Sequence, residues 1–502
     1  MAESETTQDP KPQAVSIQRE ILIGTAWVAA ARWGIRGLGV ISTIVLARLL
    51  VPADFGLVAL ATMVAGMISI FGEVGLLLHL IRERDPDRTH FDTVWTLRLL
   101  LGGGLGLVIF LAAPFAADWF GDPRLDPVLR VLALPPLLQG SQNTGIAWFR
   151  KNLDFARDFR FLVAQKIAAF AVTLSLAPVF WNYWALVAGI VAGNVMGLVM
   201  SFAMHPFRPR FDLSRTRAVW SFSTWTLAHH LVDFLSRQVD TLILGRYKTS
   251  TEVGLYTVAY DLAASPIIEL ALPASRVLFP AFAKIVDDRA EMTRVFARVV
   301  AGMAILGMAL GPGVALVARD AVAVLLGAAW TAAVPLVEIL AITGVIYALW
   351  QPIFPLLTAL SRPKVSAYLT LAQVVLLVAA MLPAIHYYDL AAFAIARVLA
   401  MAAALVMTIA VFMRITGIAL GTVTASLWRP TLAAIVMAGA VVATQRVMPD
   451  IAALRLVASI AIGGVAYVAS LAGLWYLAGR PSTIEADLIA AAQAKLAQRR
   501  AG

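Results

Sequence analysis

The stretch TIVLARLLVPADFGLVALA (Thr43–Ala61) recurs at an offset of 198 as TLILGRYKTSTEVGLYTVA (Thr241–Ala259). In both copies an apolar run ends on an arginine, Arg48 or Arg246. A Gly-Leu step follows at matched spacing, in Phe55-Gly56-Leu57 and Val253-Gly254-Leu255. Trp27 and Trp225 share the offset. With two residues of drift, Arg98-x3-Gly102 matches Arg298-x3-Gly302. So many coincidences at one offset mark a tandem repeat, and its period fixes the expected architecture.

The repeats sit in a chain of 502 residues that is 60% hydrophobic and 14% charged, with a mean hydropathy of +0.82. A soluble domain is nearer 25% charged, so a water-soluble globule, a disordered chain and a fibrous protein are all excluded. A helix needs about 20 apolar residues to cross a bilayer. Such runs lie at roughly 21–46, 53–81, 93–117, 125–148, 158–180, 184–205, 218–245, 252–283, 293–318, 331–358, 365–385, 389–413, 430–447 and 456–479. Pro135–Pro136, Pro266, Pro273, Pro352 and Pro355 are candidate kinks. The expectation is an all-α integral membrane protein of about 14 transmembrane helices. Six spans separate the repeats, an even number, so the copies share an orientation. Two pseudo-symmetric six-helix lobes follow, related by an axis along the membrane normal as in parallel-repeat transporters.

The predicted organisation is a disordered cytosolic tail (1–19), an N-terminal lobe (20–206), a cytoplasmic linker (207–217), a C-terminal lobe (218–415), an extra helix pair (416–480) and a second cytosolic tail (481–502). Basic residues support that orientation. Alternate loops and both tails hold 24 of the 40 Lys and Arg, among them Arg82, Arg84, Arg150, Lys151, Arg208, Arg210 and Arg215; the intervening loops hold 7. By the positive-inside rule both termini are cytoplasmic. The net charge of +10 reads as orientation and attraction to anionic lipid, not as nucleic-acid binding. Cysteine is absent, which removes disulfides, zinc-thiolate sites and thiol nucleophiles. No Walker-type loop, HExxH or Gly-x-Ser-x-Gly appears, and no loop is long enough for a soluble catalytic domain. No enzyme, cofactor or metal is expected.

Charge near the bilayer centre marks candidate function. Arg32 lies about 18 Å and Arg36 about 24 Å along the first span, one turn apart on one face. They either face a water-filled cavity or pair with acids of other helices. The seventh span carries His229, His230, Asp233, Arg237 and Asp240, the densest polar stripe of the membrane part. Asp233 is a candidate proton- or cation-responsive group beside a titrating histidine; the alternative is an internal Asp233–Arg237 salt bridge. Asp261 is a second coupling candidate, about 15 Å into its span. Arg98, Arg298 and Arg276 lie near span ends and either line a cavity mouth or snorkel to headgroups. Lys166, Arg397, Glu269, Glu338 and Gln351 are expected to pair within the bundle. Trp27, Trp225, Trp95 and Trp350 belong to aromatic belts or stack on sugar faces.

Three segments carry a family resemblance: LARLLVPADFGLVALATMVAG (46–66), FRPRFDLSRTRAVWSFSTWTLAHHLVDFLSRQVDTLILGRY (207–247) and VGLYTVAYDLAASPIIELALPASRVLFPAFAKI (253–285). They resemble the polysaccharide-export (Wzx-like) branch of the multidrug/oligosaccharidyl-lipid/polysaccharide (MOP) flippase superfamily, over roughly residues 20–415. The resemblance implies a flippase of the bacterial inner membrane. Its substrate would be an undecaprenyl-pyrophosphate-linked oligosaccharide for lipopolysaccharide O-antigen, capsule or exopolysaccharide. H+ or Na+ is a candidate coupling ion, and polysaccharide polymerase machinery a candidate partner. Common members have twelve helices. The extra pair is a departure that the lipid II flippase branch also shows. On this reading Arg32 and Arg36 hold the pyrophosphate, with His230, Arg237, Arg98, Arg298 and Arg276 along the cavity and Asp233, Asp261 and His229 in ion coupling. A cation-coupled multidrug antiporter of the same superfamily would need an acidic cavity, which midplane arginines oppose. A polytopic polymerase or ligase would need a large periplasmic loop, and none is present.

Overall fold

The computed structural model describes residues 34, 37–72, 76–83, 86–152, 154–216, 224–387, 389–480, 484 and 486. Among them the chain is helical and contains no strand. Ten helices are long and apolar enough to cross a membrane. Arg32, Arg36, the tail at 1–19 and most of 481–502 lie outside the described residues.

Two compact units divide at Leu231/Val232. The amino-terminal unit runs α1 (Gly37–Leu49), α2 (Pro52–Ser69), α3 (Leu76–Arg82), α4 (Arg88–Phe120), α5 (Leu125–Leu132), α6 (Leu134–Ser141), α7 (Ala147–Lys151), α8 (Phe155–Phe180) and α9 (Trp184–Met204). Pro52 starts α2, where a missing N–H does no harm. The buried Asp54 accepts from the backbone N–H of Val51 at 3.3 Å and of Tyr183 at 3.1 Å, tying the α8–α9 turn to the start of α2. α4 ends on Gly121 at φ +68°, a left-handed cap that suits glycine. α4 and α6 pack closely because Gly102 and Gly140 face each other's backbones; a Cβ at either would meet the carbonyl of Pro136 or of Arg98.

The second unit contains the rest of α10 (Thr224–Tyr247), in which the division falls. It continues with α11 (Ser250–Ala283), α12 (Arg289–Ala321), α13 (Val334–Trp350), α14 (Ile353–Ala359), α15 (Pro363–Tyr387), α16 (Leu390–Thr416), α17 (Leu420–Val447) and α18 (Ala452–Leu477). Thr249 and Glu252 form a capping box that starts α11. The extra pair, α17 and α18, packs on α12 through an apolar cluster of Val317, Ala321, Met437, Val441, Leu456 and Tyr467. Polar contacts reinforce it. Gln445 Nε2 donates to the carbonyl of Leu316 and the Tyr467 hydroxyl to that of Ile305, both at 2.8 Å.

Several span boundaries differ from expectation. The run at 53–81 is not one helix: α2 stops at Ser69, a short 3-10 turn covers Ile70–Gly72, and α3 is separate. Gly72 and Gly75 supply the breakers in the sequence. The run at 125–148 is a chain of short helices, broken next to Pro135–Pro136 where a kink was expected. Pro352 likewise separates α13 from α14. Pro266 and Pro273 leave α11 unbroken. α17 begins at Leu420, ten residues ahead of the expected 430, and carries Pro430 inside it. Threonine and serine in its first turns dilute the hydropathy, yet Thr424, Ser426 and Thr431 fold their hydroxyls back onto the helix's own carbonyls.

Candidate functional site

The polar stripe of α10 resolves into two pairings of different character. Arg237 Nε donates to Asp233 Oδ2 at 3.1 Å and Nη2 to Oδ1 at 3.3 Å, one turn apart along the helix. This is the internal salt bridge weighed above, and it stands accessible, with side chains 58% and 46% exposed. Asp240, two turns on, is buried and receives Arg397 Nη1 of α16 at 2.7 Å. The Arg397 guanidinium also lies over the Tyr260 ring, 4.6 Å from its centroid. Arg397 therefore pairs within the bundle as expected, and its partner comes from the candidate stripe itself.

His230 is half-buried on α10; its neighbour His229 lies in the same helix with its side chain outside the described residues. Asp261 is exposed on α11 and Arg298 half-buried on α12. Arg276 falls within α11, again with its side chain outside the described residues.

In the amino-terminal unit Arg98 does more than reach for a headgroup. Its Nη2 donates to the carbonyl of Gln139 on α6 at 2.8 Å, and Nη1 is buried without a hydrogen-bond partner among the described residues. Gln139 Nε2 in turn donates to Asn194 Oδ1 of α9 at 2.9 Å. Three helices are thus linked by one polar chain. Trp95 donates from Nε1 to the Ser141 carbonyl at 3.1 Å, and Trp350 is buried and stacked on Phe354, so both rings serve packing.

At one end of this unit the segment after α9 is laid over the start of α4. Asp92 Oδ1 accepts from the Arg210 N–H at 2.7 Å, and Thr96 Oγ1 from the Asp212 N–H at 3.0 Å. Asn143 Nδ2 donates to the carbonyl of Phe207 at 2.7 Å. Arg215 pairs with Asp87 at 3.3 Å, and Phe211 packs edge-on against Trp95. Hydrogen bonds from the Thr89 side chain and the His90 N–H hold the Asp87 carboxyl well below the usual range. Those from Ser214 lower that of Asp212. Burial, then the nearby Arg157 and Arg208, push His205 down.

A family model described as "Polysaccharide biosynthesis protein" matches residues 45–335, more than half of the chain. The chain belongs to this family. It is 24% identical over 319 residues to the lipopolysaccharide biosynthesis protein WzxC of Escherichia coli (strain K12), an alignment covering 62% of this chain and 64% of that one. Identity is also 24% over 282 residues to the succinoglycan biosynthesis transport protein ExoT of Rhizobium meliloti (strain 1021), covering 56% of each. The chain thus matches less than two thirds of the length of these relatives. It superposes with a TM-score of 0.70 on a lipid II flippase MurJ in an inward closed conformation, at 12% identity over 91% of this chain and 99% of the other. A multidrug resistance MATE family transporter of the MOP superfamily gives 0.58 at 16% identity, over 78% and 98%. These likenesses are of fold. The resemblance to polysaccharide-export proteins read from the sequence is borne out by the family match, and the protein is a multi-pass helical membrane protein of this family.

Proposed function

We propose that the protein is a flippase of the inner membrane that moves polyprenyl-pyrophosphate-linked oligosaccharides for cell-surface polysaccharide synthesis. The observation that carries this reading is the family match over residues 45–335 joined to the fold likeness to a lipid II flippase. A transport role rather than catalysis agrees with the likeness to ExoT, a succinoglycan biosynthesis transport protein. Two six-helix lobes would alternate access to a cationic cavity. Arg32 and Arg36 would hold the pyrophosphate through bidentate guanidinium pairs, and Asp233 or Asp261 would couple transport to H+ or Na+.

The test is export of polysaccharide in a bacterium deleted for its own flippase and supplied with this chain, normalised to its abundance in the membrane. Export should be restored by the native chain and severely cut by Arg32→Ala or Arg36→Ala, since removing one desolvated partner typically costs 2–5 kcal/mol. Lysine at either site should rescue in part. Normal export by an abundant double alanine variant would overturn the pyrophosphate assignment and return the drug-antiporter reading to the front.

A further inference from the structure

Within the amino-terminal unit, α1, α2, α8 and α9 line an open cavity of about 420 Å³, at whose wall Lys166 is exposed. Its polar lining comes from Ser42, Gln165, Lys166, Thr173 and Asn194, and Phe170 contributes an aromatic wall. Lys166 stands ten residues into the span Ala156–Phe180, so its Cα lies about 15 Å from the start of that span, near the bilayer centre. An ammonium at that depth is expensive and normally pairs with an acid or faces a water-filled space. Lys166 was expected to pair within the bundle. Among the described residues no carboxylate pairs with it, and no acidic residue lines the cavity.

The neighbouring polar groups are held in place and keep capacity to spare. Asn194 Nδ2 donates to the Ile190 carbonyl at 2.8 Å, while its Oδ1 accepts from Gln139. One amide hydrogen of Asn194 is left over. Thr173 Oγ1 donates to the Ala169 carbonyl at 2.8 Å and still accepts. Among the described residues the cavity therefore offers one cation, carboxamide donors, hydroxyl oxygens and apolar walls. One cation balances one negative charge. A diphosphate, with about two, would remain undercompensated; a sugar carboxylate would not. Hydroxyls of such a sugar match the amides and hydroxyls of the lining, and its C–H face matches Phe170. The volume falls in the usual range for small-molecule sites, about 300–1,000 Å³.

We propose that this cavity binds an acidic sugar, with Lys166 pairing to its carboxylate. As a step in selecting the transported saccharide, the proposal rests on the flippase reading; as a binding site it can be tested without transport. The cysteine-free chain allows Ser42→Cys to serve as a single reporter in the purified full-length protein. The readout is the rate of its alkylation by a maleimide. D-glucuronate should slow alkylation several-fold, and D-glucose, its neutral counterpart, should not. Lys166→Met should abolish the glucuronate effect and Lys166→Arg keep part of it, both at the thermal stability of the parent. If Lys166→Met does not fold, the Lys166→Arg comparison and the sugar arms still decide. Equal slowing by glucose, no slowing by glucuronate, or slowing that survives Lys166→Met overturns the site. Slowing by inorganic phosphate and not by glucuronate overturns the acidic-sugar assignment in favour of a phosphate. Failure to restore export while glucuronate binding persists counts against the flippase reading alone; restored export without glucuronate binding counts against this site alone.

Discussion

Arg397 of α16 reaches Asp240 of α10 across 157 positions of sequence, Nη1 to Oδ2 at 2.7 Å, with side chains only 3% and 5% exposed. The pair ties α10, which carries the candidate stripe, to α16 inside the second unit. A buried ion pair adds little against well-packed apolar residues, but breaking it from one side strands a charge. Asp240→Asn should therefore lower stability by about 3–5 kcal/mol, and Asp240→Leu with Arg397→Met should recover most of it. Thermal unfolding of the purified variants checks this. A double variant as unstable as Asp240→Asn would show that the charges matter in themselves.

A second buried acid fixes the extra helix pair. Arg455 of α18 donates to both oxygens of Asp320 on α12, at 2.8 Å from Nε and 2.5 Å from Nη2, and also to Asp450 at 2.7 Å. Asp320 is 3% exposed and Asp450 91%. The two contacts should differ accordingly. Asp320→Asn is expected to loosen α18 and lower the unfolding temperature. Asp450→Asn should change stability by no more than about 1 kcal/mol, as exposed pairs do. Limited proteolysis of the α17–α18 turn reads the first effect directly.

The strap at 205–215 makes an acid-dependence prediction. The carboxyls of Asp87 and Asp212 are held below their unfolded values. Their contribution is complete above the ordinary carboxylate value of about 4 and is lost as pH falls through the lower folded values. His205 is also depressed, so the unfolded chain takes up its proton first. Stability begins to decline as pH drops through about 6.5. Protection of the Arg210 and Asp212 amides against hydrogen exchange, taken relative to the intrinsic rate at each pH, should fall in two stages on acidification. Asp87→Asn should flatten the lower stage and His205→Gln the upper.

The same strap reports orientation. The positive-inside rule predicts a cytoplasmic Ser214. A Ser214→Cys variant should react with a membrane-impermeant maleimide only after the inner membrane is opened. Labelling from the periplasm would invert the topology.

Much of this was open to sequence reasoning because it depends on local chemistry. Pro135–Pro136 and Pro352 mark the helix breaks, since a missing N–H acts at the residue itself. Pro266 and Pro273 misled because their helix runs through them, and the polar first turns of α17, which bond to themselves, look like a loop to hydropathy. Arg397 with Asp240, and Arg455 with Asp320, are contacts between residues more than a hundred positions apart, which no spacing encodes. Asp320 showed no signal at all, lying at a helix end beside a polar boundary. Lys166 did carry one: its depth in the span matched that of the arginines singled out, yet as a lone cation it was read as paired. Its place in a cavity lined by α1, α8 and α9 emerges only from packing.

The accessibility of Asp233 and Arg237 turns an ambiguous residue into a decisive one. If the 46% and 58% of these side chains left uncovered by protein face a water-filled cavity, an i,i+4 pair contributes about 0.5 kcal/mol at most. Replacing Asp233 by Asn should thus leave unfolding temperature and membrane abundance close to native. If Asp233 takes up the coupling ion, the same substitution should remove the dependence of polysaccharide export on external pH or sodium, with abundance unchanged. The purely structural account predicts the reverse order: Asp233→Asn destabilises, and Arg237→Gln in the same chain restores. Measuring unfolding temperature and pH-dependent export on the single and double variants separates the two. A large loss of stability in Asp233→Asn, rescued by Arg237→Gln, would end the case for Asp233 as the coupling acid and leave Asp261 to carry it.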